Sequence, residues 1–311
     1  MDKDDEEKEN QESFGQDNKN EEIQNTAIVK RGNKKKVFII IGIVAVLIIV
    51  AVIFVSMDFS KAINFSKNIS EQDSKLLGRE ANASSMTSKL SYNDFITETN
   101  MIMDKRNELI NQFENQKVII FKNKLNDLKN SLSTENQNVK TEQIARLKKE
   151  LADTEKKDNI AFGDFFNISE ANLSWQEAFD KLSANISDRD KIINDLKNMD
   201  LLSYTSQVSG YIDLLNSENT LVRSYSQLLH ALFSLHVDLD SYFTDYSDIL
   251  ADKKAIVNDF TDLKTNYQAL LDKDKTFWLG VKDLMPSRDL QKALSDFYNS
   301  TYDLIKPILN A

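Results

Sequence analysis

KKKVFIIIGIVAVLIIVAVIFVSMD, running from Lys34 to Asp58, decides how the rest of this chain is read. Val37 to Val55 is an unbroken apolar run of 19 residues, interrupted only by Gly42. At about 1.5 Å per helical residue it covers roughly 28 Å, close to the hydrocarbon thickness of a bilayer. A core helix would carry polar residues on one face every three or four positions, and this run carries none. A cleavable secretion signal would have a shorter apolar segment and small residues at the cut, where this chain has Phe54 and Val55. No cysteine is present for lipid attachment. The stretch therefore reads as an uncleaved signal anchor spanning 37–56. Lys30, Arg31, Lys34, Lys35 and Lys36 crowd its N-terminal side and Asp58 opens the other. By the positive-inside rule residues 1–36 are expected in the cytoplasm and the large C-terminal part outside, in a single-pass arrangement at the cell membrane.

Composition points to helices beyond the anchor. The chain of 311 residues has 7 Gly and 2 Pro, against average usages of about 7% and about 5%. Only Gly78, Gly163, Gly210 and Gly280 follow the anchor, so a sheet with many tight turns is not expected. An exterior domain without cysteine is held by packing alone, which suits a Gram-positive bacterial surface better than a eukaryotic ectodomain. The net charge of −10 and the lack of a basic stripe outside the juxtamembrane cluster argue against a nucleic-acid binder. Residues 1–29 hold almost no large apolar side chains. They cannot bury enough surface to offset chain entropy, and disorder is expected there.

The remaining pattern predicts an all-α fold: an elongated extracytoplasmic helical bundle with coiled-coil character, occupying 91–311 behind a stalk or first helix at 57–90. Ser91 and Asp94 form a capping pair. From there Phe95, Ile102, Leu109, Phe113, Ile120 and then Val118, Phe121, Leu125, Leu128 and Leu132 follow helical spacing up to the polar run 133–138. Ile144, Leu147 and Leu151 resume the spacing before a second polar run, Lys156 to Asn159. Residues 160–174 read as a connector whose Phe162, Phe165 and Phe166 dock on the bundle. Ser174-Trp175-Gln176-Glu177 is a capping box, and Ile186-Ser187 with Asp190 is a candidate start for a further helix.

The most ordered signal lies between Tyr204 and Leu271. Tyr204, Tyr211, Glu218, Tyr225, Leu232, Leu239 and Tyr246 recur every seven residues, as do Val208, Leu215, Val222, Leu229, His236, Phe243 and Leu250. These are the a and d rows of a heptad pattern. They describe either one long helix or a hairpin turning at Asn216–Asn219. The many aromatic residues favour a broad bundle whose other helices face this seam. Pro286-Ser287 is expected to start the last helix, and Gly280 to cap the one before it.

The chain shows no catalytic constellation. His230 and His236 are six apart on one helix, about 120° from each other, which prevents both from gripping one metal. Asp238, Asp245, Asp248 and Asp252 read as a solvated face rather than a cation loop. No nucleophile elbow, Ser-x-x-Lys or glycine-rich phosphate loop occurs. Glu218 and His236 stand out as polar residues in the apolar seam. Glu218 is a candidate for setting register, marking a turn or pairing with a cation, and His236 is a core histidine or a pH switch. The expectation is a non-enzymatic, cofactor-free binding or scaffold protein of the cell envelope. Its partners are the lipid bilayer and a protein or cell-wall component, with a second copy of the chain as a further candidate. The alternative is a sensor or regulator whose bundle responds to a ligand or pH and whose acidic tail contacts a cytoplasmic protein.

Overall fold

The structure, a computed structural model, describes residues 33–85, 90–170, 173–241, 244–286 and 288–310, with the backbone alone for 33–40, 169 and 170. The acidic segment 1–29, Lys30 and Arg31 lie outside the described residues, as do Phe243 and Ser287. Among the described residues seven helices follow one another: α1 (Asn33–Ser85), α2 (Tyr92–Gln112), α3 (Lys122–Glu170), α4 (Trp175–Lys197), α5 (Thr205–Asp240), α6 (Tyr246–Val281) and α7 (Gln291–Leu309). A short 3₁₀ turn, Phe113–Asn115, closes α2, and the described residues contain no strand. The chain divides into two units, Met1–Asp58 and Phe59–Ala311, with the boundary inside α1. The described part of the first unit is helical throughout.

Within the second unit, successive helices run antiparallel. Residues of α1 from Phe59 onward pair with α2 through Phe65 and Phe113, whose rings lie 4.9 Å apart, and through Arg79 and Glu98 at 2.7 Å. α2 then pairs with α3, where Gln143 Nε2 donates to Thr99 Oγ1 at 2.8 Å. Ile69, Leu76, Ile102, Leu109 and Leu132 close the apolar core between these three helices. The C-terminal half of α3 joins α4, α5, α6 and α7 around a larger core that includes Phe162, Phe165, Tyr211, Tyr225 and Phe297. Burial of such side chains stabilises the fold by about 1.5–3 kcal/mol each. Tyr92, itself part of the larger core, ties α2 to the segment after α4 by donating to the Asp200 carbonyl at 2.6 Å.

Both N-terminal capping motifs form. Ser91 Oγ accepts from the Asp94 N–H at 3.2 Å, and Ser174 and Glu177 make a reciprocal capping box. Phe162 and Phe165 are fully buried, and the Phe165 ring lies 4.8 Å from Phe297 and 5.7 Å from Tyr225.

Helix boundaries differ from the sequence expectation in several places. The helix begun at Tyr92 stops at Gln112, and the chain turns at 116–121, with Gln116 extended at φ −82° and ψ 119°. Val118, Ile119 and Ile120 are consecutive β-branched residues, which lose side-chain freedom in a helix. By contrast the polar runs 133–138 and 156–159 lie inside α3, which also absorbs most of the supposed connector 160–174. Their Glu, Gln, Lys and Asn residues disfavour burial, not helix, and the Thr134 hydroxyl donates to the Asn130 carbonyl at 3.0 Å without ending the helix. No helix starts at Ile186-Ser187. α4 runs on, and Asp190 accepts instead from Asn219 at 2.7 Å and Arg223 at 2.9 Å of α5.

The seam from Tyr204 is a hairpin of two helices, but the break between them falls between Asp240 and Tyr246 rather than at Asn216–Asn219. The polar run there stays helical, with Ser217 and Thr220 hydroxyls bonded to carbonyls one turn back. α5 and α6 pair through Lys273 and Ser217, and through Asn266 and Ser224, each at 2.7 Å. The heptad rows are buried from Val208 to Leu232 against helices of the same chain, while Leu239, Tyr246 and Leu250 are exposed. α7 begins at Gln291, not at Pro286, and Gly280 has a right-handed backbone inside the last turn of α6.

Candidate functional site

Three features of the described residues bear on function: the apolar run, a buried ionic cluster, and the exposed end of the α5–α6 hairpin. Every residue from Ile41 to Met57 is exposed, Leu47 by 62%, although nearly all are large and apolar. Gly42 and Val55 lie within this stretch, and no neighbouring group comes within 4 Å of the space a Cβ at Gly42 would occupy. Val37, Lys34, Lys35 and Lys36 belong to the first turns of the same helix. α1 is the one described helix that is long and apolar enough to cross a membrane.

Glu218 is fully buried and is held by Arg189 of α4 and by Arg288 of the segment before α7. Asp158 of α3, also fully buried, pairs with Arg288 and lies 3.3 Å from Arg189. Two arginines and two carboxylates thus form one neutral cluster that joins four parts of the chain. The Arg189 guanidinium lies 4.5 Å from the centre of the Phe162 ring, and Arg288 lies 5.8 Å from that of Trp278. These ring faces supply the cation–π partners that a buried guanidinium prefers. Trp278 in turn donates to Asp274 at 2.8 Å.

Burial first, and the Asp158 charge second, push the Glu218 carboxyl up to about 7, against the pull of Arg288 and Arg189. Arg288 is raised as well: burial lowers it, but the Glu218 and Asp158 charges outweigh that and hold its proton more tightly. Arginines stay charged at any working pH, so the proton that moves in this cluster is the carboxylate's. A carboxyl whose folded pKa is raised binds its proton more tightly in the native state. Its contribution to stability is therefore present at low pH and is lost as pH rises from its ordinary 4.5 through about 7. The expected result is that thermal unfolding of the detergent-solubilised chain shifts downward across that window. Glu218→Gln should flatten the shift, and an unchanged pH profile in that variant would remove Glu218 as its source.

A second buried arginine, Arg106 of α2, bonds Asp73 and Glu80 of α1, each at 3.0 Å, and lies 3.2 Å from Glu135 of α3. Burial first and the neighbouring Asp73 second raise the Glu135 carboxyl above its usual range. Sequence reasoning missed Arg106, Arg189, Arg288 and Asp158. A usable signal was present, because Thr99 and Arg106 occupy the apolar stripe Phe95, Ile102, Leu109, and Glu155 and Asp158 occupy the stripe Leu151, Phe162, Phe165.

His236 does not lie in the buried seam. Its side chain is 55% exposed, with Nε2 3.6 Å from Asp240, so protonation there does not charge a buried ring. Both histidines flank an aromatic ladder: His230 stacks on Phe179 at 3.8 Å, Phe179 meets Phe233 at 6.0 Å, and Trp175 meets Phe233 at 5.6 Å and His236 at 6.2 Å. Of the acidic face, Asp252 has its carboxyl raised by burial first and by a hydrogen bond with Asp238 second. The described residues contain no group of three or more His, Asp or Glu placed to hold a metal ion.

Where α5 ends and α6 begins, Val237, Leu239, Tyr246 and Leu250 are exposed, Tyr246 by 74%. An open groove of about 810 Å³ also separates α3 from α4, lined by Lys157, Ile160, Asp164, Lys181, Asn185 and Asp188 among others. Its charges alternate in sign and mark out no ligand class. Comparison with known protein families, curated proteins and solved structures finds no match to this chain.

Proposed function

We propose that the chain is a single-pass membrane protein whose exterior helical bundle binds a protein partner, holding it at the envelope surface without catalysing a reaction. The observation that carries the reading is the exposure of the whole apolar stretch from Ile41 to Met57 in a chain whose other helices bury their apolar faces. Water does not tolerate such a stretch, whereas hydrocarbon does. The basic cluster Lys30, Arg31, Lys34, Lys35 and Lys36 supports an anchor with a cytoplasmic N-terminus and an extracytoplasmic bundle. Exposed Val237, Leu239, Tyr246 and Leu250, next to the Trp175 and Phe233 ladder, offer the kind of apolar and aromatic surface at which protein interfaces form. The α5–α6 pairing, antiparallel and seven-residue in pattern, supports coiled-coil character for this hairpin.

A photo-crosslinking residue at Tyr246 in the full chain in cells tests this. A specific protein neighbour, lost when Leu239→Asp is added, is the expected result. Crosslinks only to lipid or none at all would overturn the binding role. One observation favours a second reading, that of a pH-responsive regulator: Glu218 has a raised carboxyl inside the cluster that joins α3, α4 and α5. Under that reading the Tyr246 crosslink changes with pH, and Glu218→Gln abolishes the change.

A further inference from the structure

The turn between α2 and α3 is fixed against the first residues of the second unit. Val118 is buried with Ala62 and Leu125, and the Phe121 ring lies 5.1 Å from Phe59. From this base the tip of the turn projects outward. Ile119 is 70% exposed, and Ile120, Phe59 and Ile63 are also exposed, so four large apolar side chains gather at one end of the bundle. Lysines outnumber acids around the tip, with Asp58 just before Phe59 and Glu71 and Asp127 just beyond the two segments that form it. Segments 59–70 and 112–126 carry Lys61, Lys67, Lys117, Lys122 and Lys124, all exposed, against the single acid Glu114, in a chain of net charge −10. Lys67 and Lys124 reach carboxylates of their own helices only at 3.9 and 4.0 Å. Three residues, Ser56, Met57 and Asp58, separate Phe59 from Val55, the end of the apolar run.

An apolar tip ringed by lysines is the pattern of segments that lie in the headgroup layer of a membrane, with apolar side chains at the acyl boundary and cations on anionic lipid. Near an anionic leaflet each lysine strengthens that attraction by about fivefold. We propose that this end of the bundle is a lipid-binding surface: Ile119 and Ile120, with Phe59 and Ile63, enter the headgroup layer of the bilayer that the apolar run crosses, and the lysines bind its anionic headgroups. The inference rests on the spanning reading of Val37–Val55. Covalent connection selects the bilayer as occupant, because a chain leaving the hydrocarbon at Val55 delivers Phe59 to the headgroup region within about one helical turn.

The chain has no cysteine, so a single nitroxide can be placed without background. Full-length protein in vesicles of phosphatidylcholine and phosphatidylglycerol would carry the label at Ile48→Cys, Ile120→Cys or Leu279→Cys, the last in a distal exposed position. The expected result is that labels at 48 and 120 gain collisions with dissolved oxygen and lose collisions with a water-soluble nickel complex, relative to 279. The shift at 120 should shrink in pure phosphatidylcholine and in the variant that combines Lys117→Gln, Lys122→Gln and Lys124→Gln. A label at 48 in lipid with 120 behaving like 279 would overturn the lipid surface and leave the span intact. A label at 48 in water would overturn both. An unchanged shift at 120 in pure phosphatidylcholine would overturn the role given to anionic headgroups.

Discussion

Arg189→Met should lower the midpoint of thermal unfolding by on the order of 10 °C, the largest single-residue effect expected in the bundle. The substitution leaves Asp158 and Glu218, both fully buried, sharing only Arg288. Breaking a buried pair by removing one partner costs about 3–5 kcal/mol, because it leaves buried charge out of water and under-compensated. For a unit of this size each kcal/mol moves the midpoint by about 2–4 °C. The double variant Arg189→Met with Glu218→Gln restores neutrality around Asp158 and Arg288 and should recover much of the loss. Circular dichroism of the detergent-solubilised chain measures both. A single variant that melts within a degree or two of the parent would show that the cluster is not a principal source of stability, and a double variant no better than the single would assign the cost to lost packing over Phe162.

The second large effect concerns the anchor. Val44→Arg combined with Ile48→Arg puts two charges into the middle of the apolar run, each costing about 2.5–3.5 kcal/mol at the centre of a membrane helix. The variant should leave the carbonate-resistant membrane fraction, in which the parent chain stays. Orientation is read in the same cells by adding Ser13→Cys or Leu279→Cys to the parent. A membrane-impermeant maleimide should label position 279 in intact cells and position 13 only after lysis. Equal labelling of both before lysis, or retention of the double-arginine variant in the membrane, would count against an anchor with its N-terminus inside.

Much of the architecture was legible in the residues, for reasons that also explain what was not. The apolar run and the two capping motifs are local signals, complete within a few positions, and local structure follows them. The heptad rows from Val208 to Leu232 mark a face that packing then buries. Helix ends were misplaced where polarity was taken for a breaker. Residues 133–138 and 156–159 are polar because they face solvent or hold Arg106 and Arg288, whereas the real breaks fall at a β-branched run and after Asp240. His236 satisfies the seven-residue spacing but sits in the last turns of α5, where its side chain is turned outward beside Asp240 and the spacing no longer implies burial. Glu218 was visible as an anomaly in its row. Its partners were not, because Arg189, Arg288 and Asp158 lie 29, 70 and 60 positions away, and only folding brings them together.

α3 takes part in both arginine clusters, through Glu135 and Asn136 at one level and Asp158 at another. The 22 positions from Asn136 to Asp158 amount to roughly 33 Å of helix. Such a shaft, keyed at two heights, resists both sliding and twisting. A slip of α3 by one helical turn cannot be taken up locally, since it would unseat two sets of buried charges at once. Displacement at the Lys122 end of this helix is therefore passed on as movement of the whole shaft rather than as slippage against its neighbours.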